Sequence, residues 1–216
     1  MADIIKSKLL SGISGVEHGF GVGACEIGGM VPRGARVFRT NQVHGKRVVR
    51  LEDVEGDDVI EADAFITNAP GFVCHVRTAD CVPMLIADVK TCAIAAIHAG
   101  WRGTALDVVG ETIKEMGRAY GTEPADCIAA IGPCICGACY EVGAEVIGSM
   151  RSPSIPNDWL VDDRHVELGA ANASLLERAG AGETDVVAGC TACDPRFASW
   201  RRDRTEARQV SFITIL

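Results

Sequence analysis

The sequence of 216 residues lacks any run of the roughly eighteen apolar residues that a membrane-spanning helix needs. Its first residues also lack the long apolar segment of a secretory signal, so we expect a cytoplasmic protein without a membrane partner. Aromatic residues make up only 5% of the chain, and histidine occurs five times. With so few imidazoles, any metal or acid–base site must be built from a small set of positions.

Positive charge is in deficit, since 21 Lys and Arg residues face 29 Asp and Glu residues, which gives a formal net charge of −8 and a pI near 5.1. An acidic protein repels the phosphate backbone of nucleic acids, so we expect no nucleic-acid partner. One basic cluster, interrupted by acidic residues, lies near the C-terminus and contains Arg201, Arg202, Arg204 and Arg208. This cluster is either a solvated, salt-bridged face or a site for an anionic group of a substrate.

Cysteine, in contrast, is abundant, with ten residues. In a reducing cytosol such cysteines are buried apolar residues, metal ligands or a nucleophile. Two groups stand close together in the sequence: Cys134, Cys136 and Cys139, and then Cys190 and Cys193. The two groups could together form a structural zinc site, for which paired thiolates are typical ligands, or they could be buried thiols.

The pattern of apolar residues indicates strands and helices without a strict βαβ order. It predicts strands near residues 37–39, 47–51, 64–67, 72–76, 127–131 and 210–216. It predicts helices over 104–120, capped by Thr104, and over 141–150 and 168–179, with a loop at 151–159. This mixture favours the α+β class and a single domain over residues 1–216.

Two mostly apolar runs, residues 83–88 and 92–98, are joined by a short polar segment and predict a hairpin buried on both faces. An antiparallel pairing centred on Lys90 brings Cys81 close to His98, because residues at the open end of a hairpin lie opposite each other. The hairpin therefore predicts that these two side chains are neighbours.

His98 ends a predicted strand and leads into a glycine-containing loop, and His44 lies in another such loop. Loops of this kind are where rigid scaffolds present functional side chains. A thiolate and two imidazoles suit zinc, and three protein ligands leave one position for water or substrate, as in catalytic zinc sites. From spacing alone, the alternative is that both histidines form only local hydrogen bonds and that Cys81 is a buried packing residue. We interpret His18, His75 and His165 as residues outside the metal site.

Several segments in order resemble the signatures of the YfiH-like laccase-domain proteins, also called multicopper polyphenol oxidoreductases and purine nucleoside phosphorylases. The first three are 41–45 (Asn-Gln-Val-His-Gly), 79–83 (Ala-Asp-Cys-Val-Pro) and 97–103 (Ile-His-Ala-Gly-Trp-Arg-Gly). Further matching segments are 131–133, 139–143, 190–191 and 197–203. The resemblance runs from about Val37 to the C-terminus.

The resemblance implies a zinc site on His44, Cys81 and His98, within two packed mixed β-sheets flanked by helices. It implies phosphorolysis of purine nucleosides (adenosine, inosine, guanosine and methylthioadenosine) with phosphate as the second substrate, and a side activity that deaminates adenosine. The laccase name reflects copper-dependent phenol oxidation. A multicopper oxidase needs many histidine ligands, which five histidines cannot supply, so copper is the less favoured metal.

Three further residues near these motifs complete a predicted site in which Cys81 and His98 are catalytic. Arg102 is the candidate for pairing with phosphate, because its planar guanidinium suits that anion; a structural salt bridge is the alternative. Asp80 is a candidate acid or base, or a partner that orients a ligand histidine; a turn cap is the alternative. Asn41 is a candidate hydrogen-bond partner for ribose or base, or a simple turn residue.

The N-terminal part departs from the resemblance. Residues 18–20 (His-Gly-Phe) are similar to an early signature of the family, but the long segment that normally follows has no counterpart. The domain is therefore expected to be shortened around residues 20–36. A family arginine is missing with that segment, which leaves open which arginine binds phosphate.

Other functions could use the same residues. A metal-free thiol hydrolase would use Cys81 as the nucleophile and His98 as the base, and would leave His44 without a role. A non-catalytic protein would carry the site only as a vestige, and a copper-dependent phenol oxidase ranks last. Either a monomer or a homo-oligomer is compatible with the sequence.

Overall fold

The computed structural model describes residues 3–151, 155 and 159–216. The strands are β1 Ile4–Ile5, β2 Val16–Gly21, β3 Arg36–Val37, β4 Thr40–Asn41, β5 Val48–Arg50, β6 Ile60–Glu61, β7 Ala64–Thr67, β8 Phe72–Thr78, β9 Val82–Asp88, β10 Ile94–Ala99, β11 Cys127–Ile131, β12 Glu183–Val186 and β13 Gln209–Ile215. The α-helices are α1 Lys8–Ser11, α2 Trp101–Ala105, α3 Val108–Tyr120, α4 Ala144–Met150, α5 Leu168–Arg178 and α6 Trp200–Asp203. Within these residues, no helix is long and apolar enough to cross a membrane.

The strands form two large sheets and one small ribbon. One sheet has five strands in the order β1-β2-β13-β8-β3, the other has six in the order β12-β11-β9-β10-β7-β5, and β4 pairs with β6. Each large sheet contains parallel as well as antiparallel pairs, for example β3 with β8 and β5 with β7. The expected α+β class with mixed sheets is therefore confirmed.

The two large sheets pack face to face around a shared hydrophobic core. Phe20 and Ile213 of the five-stranded sheet meet Phe65 and Leu85 of the six-stranded sheet, and all four side chains are buried. The opposite face of the six-stranded sheet is covered by helices. Burial of apolar surface on both faces explains why its central strands consist almost entirely of apolar residues.

The predicted hairpin is present as β9 and β10, with its register displaced by one residue. Ala99 lies opposite Val82, so Cys81 continues the strand toward Gly100. The displacement follows from the turn, in which the Asp88 carboxylate accepts hydrogen bonds from the backbone N–H groups of residues 90 and 91. The expectation that Cys81 and His98 are neighbours is unaffected.

The helix predicted over residues 104–120 is wrong at its start. The chain forms two helices, and Asp107, in the left-handed region at φ 58°, separates them and caps α3 by accepting from the Gly110 N–H. Thr104 lies inside α2 and donates to the Gly100 carbonyl. The helix predicted over 141–150 starts only at Ala144, and the loop expected at 151–159 lies largely outside the described residues.

Candidate active site

His44, Cys81 and His98 come together from three separate parts of the chain. His98 is in β10, Cys81 directly precedes β9, and His44 lies in the loop between β4 and β5. One ligand atom from each of the three lies within 4.8 Å of the others. Zinc holds N and S ligands at about 2.0–2.3 Å, so such ligands lie roughly 3–4 Å apart. The donor set and its spacing therefore fit a single metal ion.

The burial of the three side chains is graded. His98 is buried, Cys81 is partly buried and His44 is exposed, so the site opens toward solvent on the His44 side. The His44 and His98 rings meet edge to face, with centroids 4.8 Å apart. This arrangement leaves an approach for a substrate, as a catalytic rather than a structural metal site requires.

The backbone around the site adopts unusual conformations. His44 has φ 57° and Asp80, directly before Cys81, has φ 91°, both in a region that residues with side chains rarely occupy. A Cβ at Gly100 would lie 3.0 Å from His44 Cδ2 and 3.1 Å from Cys81 Sγ. A glycine at position 100 is therefore required for the close approach of the two ligands, and such strain is typical of functional sites.

Asp63 joins His44 to His98 through hydrogen bonds, and it was not identified from the sequence. Its carboxylate is fully buried, lies 2.8 Å from His98 Nδ1, and accepts the backbone N–H groups of His44 at 2.9 Å and Gly45 at 2.6 Å. The bond to Nδ1 leaves Nε2 of His98 to face Cys81. Carboxylates that orient a ligand histidine in this way are common in zinc enzymes.

One sequence signal could have identified Asp63. It is an acidic residue directly before the buried strand β7, beside the buried Ala62 and Ala64. A charge at such a position requires hydrogen-bond partners, because an unpaired buried carboxylate is costly. Its partner His98 is 35 residues away, which local patterns do not indicate.

The electrostatics of the cluster favour a thiolate beside a positively charged imidazole. Burial alone would raise the pKa of the Cys81 thiol, but the charge of His98 and a hydrogen bond from His44 outweigh it and lower that pKa to about 6. Burial alone would lower the pKa of His98, but Cys81 and Asp63 raise it to about 9. The anionic sulfur is the form that binds a metal or attacks as a nucleophile.

A cavity of about 580 Å³ opens above the three residues. Its wall contains an unusual number of cationic side chains, namely Arg77, Arg102, Arg201, Arg204 and Arg208. Aromatic side chains, namely Trp101, Tyr140 and Trp200, also line it. A cationic and aromatic lining suits a ligand that combines an anionic group with a flat ring.

The side chains of the basic C-terminal cluster point to two different places. Arg201, Arg204 and Arg208 line the cavity, and the Arg201 guanidinium lies 5.2 Å from the centre of the Tyr140 ring. Arg202 points elsewhere: it pairs with Asp203 and donates to the Thr191 and Phe197 carbonyls. The salt-bridged interpretation therefore fits Arg202, while the other three arginines face the cavity.

Arg102 lines the cavity at the start of α2 and is exposed, with its guanidinium 4.3 Å from the centre of the Trp101 ring. Among the described residues, no carboxylate forms an ion pair with it, which argues against a purely structural salt bridge. Asn41 also lines the cavity, and its Nδ2 donates to Glu61.

Asp80 is buried at the edge of the cavity, and both of its carboxylate oxygens accept hydrogen bonds. Thr191 Oγ1 donates to Oδ1 at 2.7 Å, and the Arg201 N–H donates to Oδ2 at 2.6 Å. These contacts tie the Cys81 loop to the start of α6. They place Asp80 where it holds Arg201 over the cavity.

The remaining histidines lie away from the ligand cluster. His18 Nε2 accepts from the Ser7 N–H, His75 is buried with its ring stacked near Phe65, and His165 contacts Asp162. The described residues therefore bring only His44 and His98 together as imidazole ligands.

Comparison with known proteins identifies relatives across most of the chain. Residues 28–216 match the protein family described as multi-copper polyphenol oxidoreductase laccase. A protein of Deinococcus radiodurans named purine nucleoside phosphorylase is 39% identical over 168 residues, covering 76% of this chain and 64% of that protein. One of the same name from Streptomyces coelicolor is 35% identical, covering 83% of this chain and 75% of its own length. The chain thus spans less than two thirds of the Deinococcus relative.

Solved structures share the fold. The hypothetical protein YfiH of Bacillus licheniformis aligns with a TM-score of 0.80 at 27% identity, covering 93% of each chain. A Neisseria meningitidis protein aligns with a TM-score of 0.81 at 25% identity, covering 98% of each chain.

Proposed function

The chain belongs to the multi-copper polyphenol oxidoreductase laccase family, and from that premise we propose that it is a zinc-dependent purine nucleoside phosphorylase. Its substrates would be adenosine, inosine, guanosine or methylthioadenosine, together with phosphate. Relatives named purine nucleoside phosphorylase support this choice. With none of the ten cysteines in a disulfide, a reducing cytoplasm is the proposed location.

The observation that carries the proposal is the combination within one cavity. A two-histidine, one-cysteine cluster lies beneath a wall of arginines and aromatic rings. The arginines match phosphate, the rings match a purine, and the cavity of about 580 Å³ has the size typical of small-molecule sites. No single one of these features would separate a phosphorylase from other enzymes.

His44, Cys81 and His98 would hold the zinc, with Asp63 orienting His98. When bound, the metal would supply a Lewis acid that helps to bind and orient an oxygen of phosphate or sugar. A catalytic site with three protein ligands suits that use, because one coordination position stays open.

In phosphorolysis, a phosphate oxygen forms a bond to the sugar C1′ while the C1′–N bond to the purine breaks. The purine leaves with the electron pair of that bond and takes up a proton. Arg102, Arg201, Arg204 and Arg208 would hold the phosphate with charge-assisted hydrogen bonds. Positioning the anion against C1′ is the main contribution expected of these residues.

Tyr140 and the tryptophans would bind the base. Burial and the neighbouring Cys81 raise the pKa of Tyr140 to about 12, so its hydroxyl stays protonated and can donate a hydrogen bond to the purine. Asn41 would contact the ribose or the base. Asp80, with both oxygens occupied, would act by positioning Arg201 rather than by moving a proton.

The test is incubation of the zinc-loaded protein with adenosine, with and without phosphate. Adenine plus ribose 1-phosphate, formed only with phosphate, supports phosphorolysis. Inosine in both samples would reveal the proposed deaminase side activity. Free ribose in both samples, or no reaction with any purine nucleoside, would contradict the proposal.

A thiol hydrolase is the second candidate, because the low pKa of Cys81 beside His98 and Asp63 is also what a cysteine nucleophile needs. The two functions differ in the role of His44. A hydrolase should keep its activity after chelation and after His44→Ala, and should lose it with iodoacetamide. A phosphorylase should lose metal and activity together in His44→Ala.

Copper-dependent phenol oxidation receives less support. The described residues bring together two imidazoles and one thiolate at this site, whereas a multicopper centre needs many more histidine ligands. Absence of phenol oxidation by the copper-loaded protein is the expected result.

A further inference from the structure

A second group of possible metal ligands lies outside the active site. It consists of Cys136, Cys139, Cys190 and Cys193, whose sulfur atoms all lie within 4.8 Å of one another. The cysteines form two Cys-x-x-Cys motifs, one in a 3₁₀ turn at Gly137–Cys139 and the other in a turn after an isolated bridge between Cys134 and Cys190. Of the three neighbouring cysteines at 134, 136 and 139, the buried Cys134 is therefore not part of this cluster.

The spacing of the four sulfurs fits one metal ion. Tetrahedral zinc with Zn–S bonds of about 2.3 Å holds its sulfurs roughly 3.8 Å apart. The Cys139 and Cys193 sulfurs are 3.3 Å apart, which is a contact and not the roughly 2.05 Å bond of a disulfide. An iron–sulfur cluster would hold the thiolates farther apart, because several metals and bridging sulfides would lie between them.

The surroundings also suit a cluster of thiolates, which carries a net negative charge even with zinc bound. The Cys136 N–H donates to Cys190 Sγ at 3.3 Å, across the two motifs. The first motif is anchored by a hydrogen bond of 2.6 Å from the Gly137 N–H to Glu167. The exposed Cys193 provides a route by which an ion enters from solvent.

The cluster stands behind the wall of the active-site cavity. Tyr140, which lines the cavity, follows Cys139 in the chain. Thr191, which donates to Asp80, follows Cys190. An ion that joins the two motifs would therefore fix two loops that contribute to the cavity, although they are 54 residues apart in the sequence.

From this geometry we infer that the protein has a structural zinc site formed by Cys136, Cys139, Cys190 and Cys193, in addition to its active-site metal. All four coordination positions are filled by cysteine, so this zinc is closed to substrate and holds the two loops together. The site takes Zn²⁺ rather than Mg²⁺ or Ca²⁺, which prefer oxygen ligands.

The first experiment measures zinc per chain by elemental analysis after expression with zinc and exhaustive dialysis. The wild-type protein should contain two zinc ions, Cys81→Ala should contain one, and the double variant Cys139→Ser/Cys193→Ser should contain one. Cys92→Ser is the matched control, since Cys92 is an exposed cysteine outside both clusters, and it should keep two. A double-serine variant that retains as much zinc as the wild type overturns the inference, whereas a single zinc that this variant loses and Cys81→Ala keeps would contradict only the active-site metal of the proposed function.

A second measurement, made on the wild-type protein, tests for the four-cysteine zinc site even if the double-serine variant does not fold. Zinc X-ray absorption should give a mean of between two and three sulfur ligands per zinc, because one site has a single cysteine and the other has four. In Cys81→Ala the remaining zinc should show four sulfurs at about 2.3 Å. A mean of one sulfur in the wild type, or a mass lower by two hydrogens that reveals a disulfide in the zinc-loaded protein, would refute the site.

Discussion

The substitution Asp63→Asn tests whether the buried carboxylate organises the proposed metal centre. The carboxylate faces three N–H donors, from His98 Nδ1 and from the backbone of His44 and Gly45. An asparagine keeps the shape of the side chain but has only one acceptor oxygen. Oδ1 of Asp63 accepts from the His44 N–H and contacts His98 Nδ1, while Oδ2 accepts from the Gly45 N–H, so the amide NH₂ group must face the donors on one of these two sides.

When the NH₂ group takes the position of Oδ1, the substitution changes the tautomer of His98. An NH₂ group opposite Nδ1 favours the imidazole in which Nδ1 accepts and Nε2 carries the proton, and a protonated Nε2 cannot bind a metal. Loss of a partner that orients a ligand typically costs 10–100-fold in metal affinity. Losing one hydrogen bond to a charged group should also destabilise the metal-free protein by about 2 kcal/mol.

The assay is competition for zinc between the protein and a chromophoric chelator, combined with urea unfolding of the metal-free protein. The matched control is Asp88→Asn, because that carboxylate is also buried and accepts three hydrogen bonds, at the opposite end of the β9–β10 hairpin. The control should lose similar stability and keep its zinc affinity at the active site. A folded Asp63→Asn protein that binds zinc within twofold of wild type would refute the reasoning.

Further predictions concern the same cavity and the core. Gly100→Ala should weaken zinc binding about tenfold, because a Cβ there would lie only 3.0–3.1 Å from atoms of His44 and Cys81. Gly148→Ala in α4 is the control, since a Cβ at that position meets open space and should leave zinc binding unchanged. Equal zinc affinities of the two variants in a chelator competition would contradict this prediction. Arg201→Ala and Arg102→Ala should each raise the KM for phosphate about tenfold or more, corresponding to about 1.4 kcal/mol of binding free energy. Arg118→Ala on α3 is the control and should leave the KM unchanged. Steady-state phosphorolysis measures all three variants, and an unchanged KM in both cavity variants would show that these arginines do not bind phosphate. Burial and the charge of Arg77 lower the pKa of His75 to about 4 in the folded protein. The unfolded chain, in contrast, takes up a proton at this histidine below about pH 6.5. The free energy of unfolding should therefore be at its full value above pH 6.5 and fall by up to about 3 kcal/mol as the pH approaches 4. His75→Gln should flatten that slope in unfolding curves measured across this range, and an unchanged slope would show that His75 does not cause it.

Local patterns in the sequence were sufficient for the elements around the active site. The apolar runs of β9 and β10 gave the hairpin and the pairing of Cys81 with His98, because a buried strand needs apolar residues at every position. The one-residue error in register came from the turn, whose Asp88 hydrogen bonds are not visible in a hydrophobic pattern.

Elements with weak apolar patterns were not predictable. β12, Glu183–Val186, is mostly polar and forms the edge of its sheet, where one partner strand and solvent replace a second buried face. The separation of α2 from α3 depends on the single left-handed residue Asp107, and helical spacing of apolar residues continues across it. In both cases the tertiary contacts outweigh the local preference.

By itself, the sequence determined the mixed class of the fold, the hairpin that joins Cys81 to His98, and a family signature that indicates His44 as the third ligand. Only the tertiary structure revealed Asp63 beneath the histidines, the arginines that share one wall of the cavity, and the meeting of the two Cys-x-x-Cys motifs. The physical reason is sequence separation. Periodicity reports which face of an element is buried, but which distant side chains meet depends on how the sheets and loops pack.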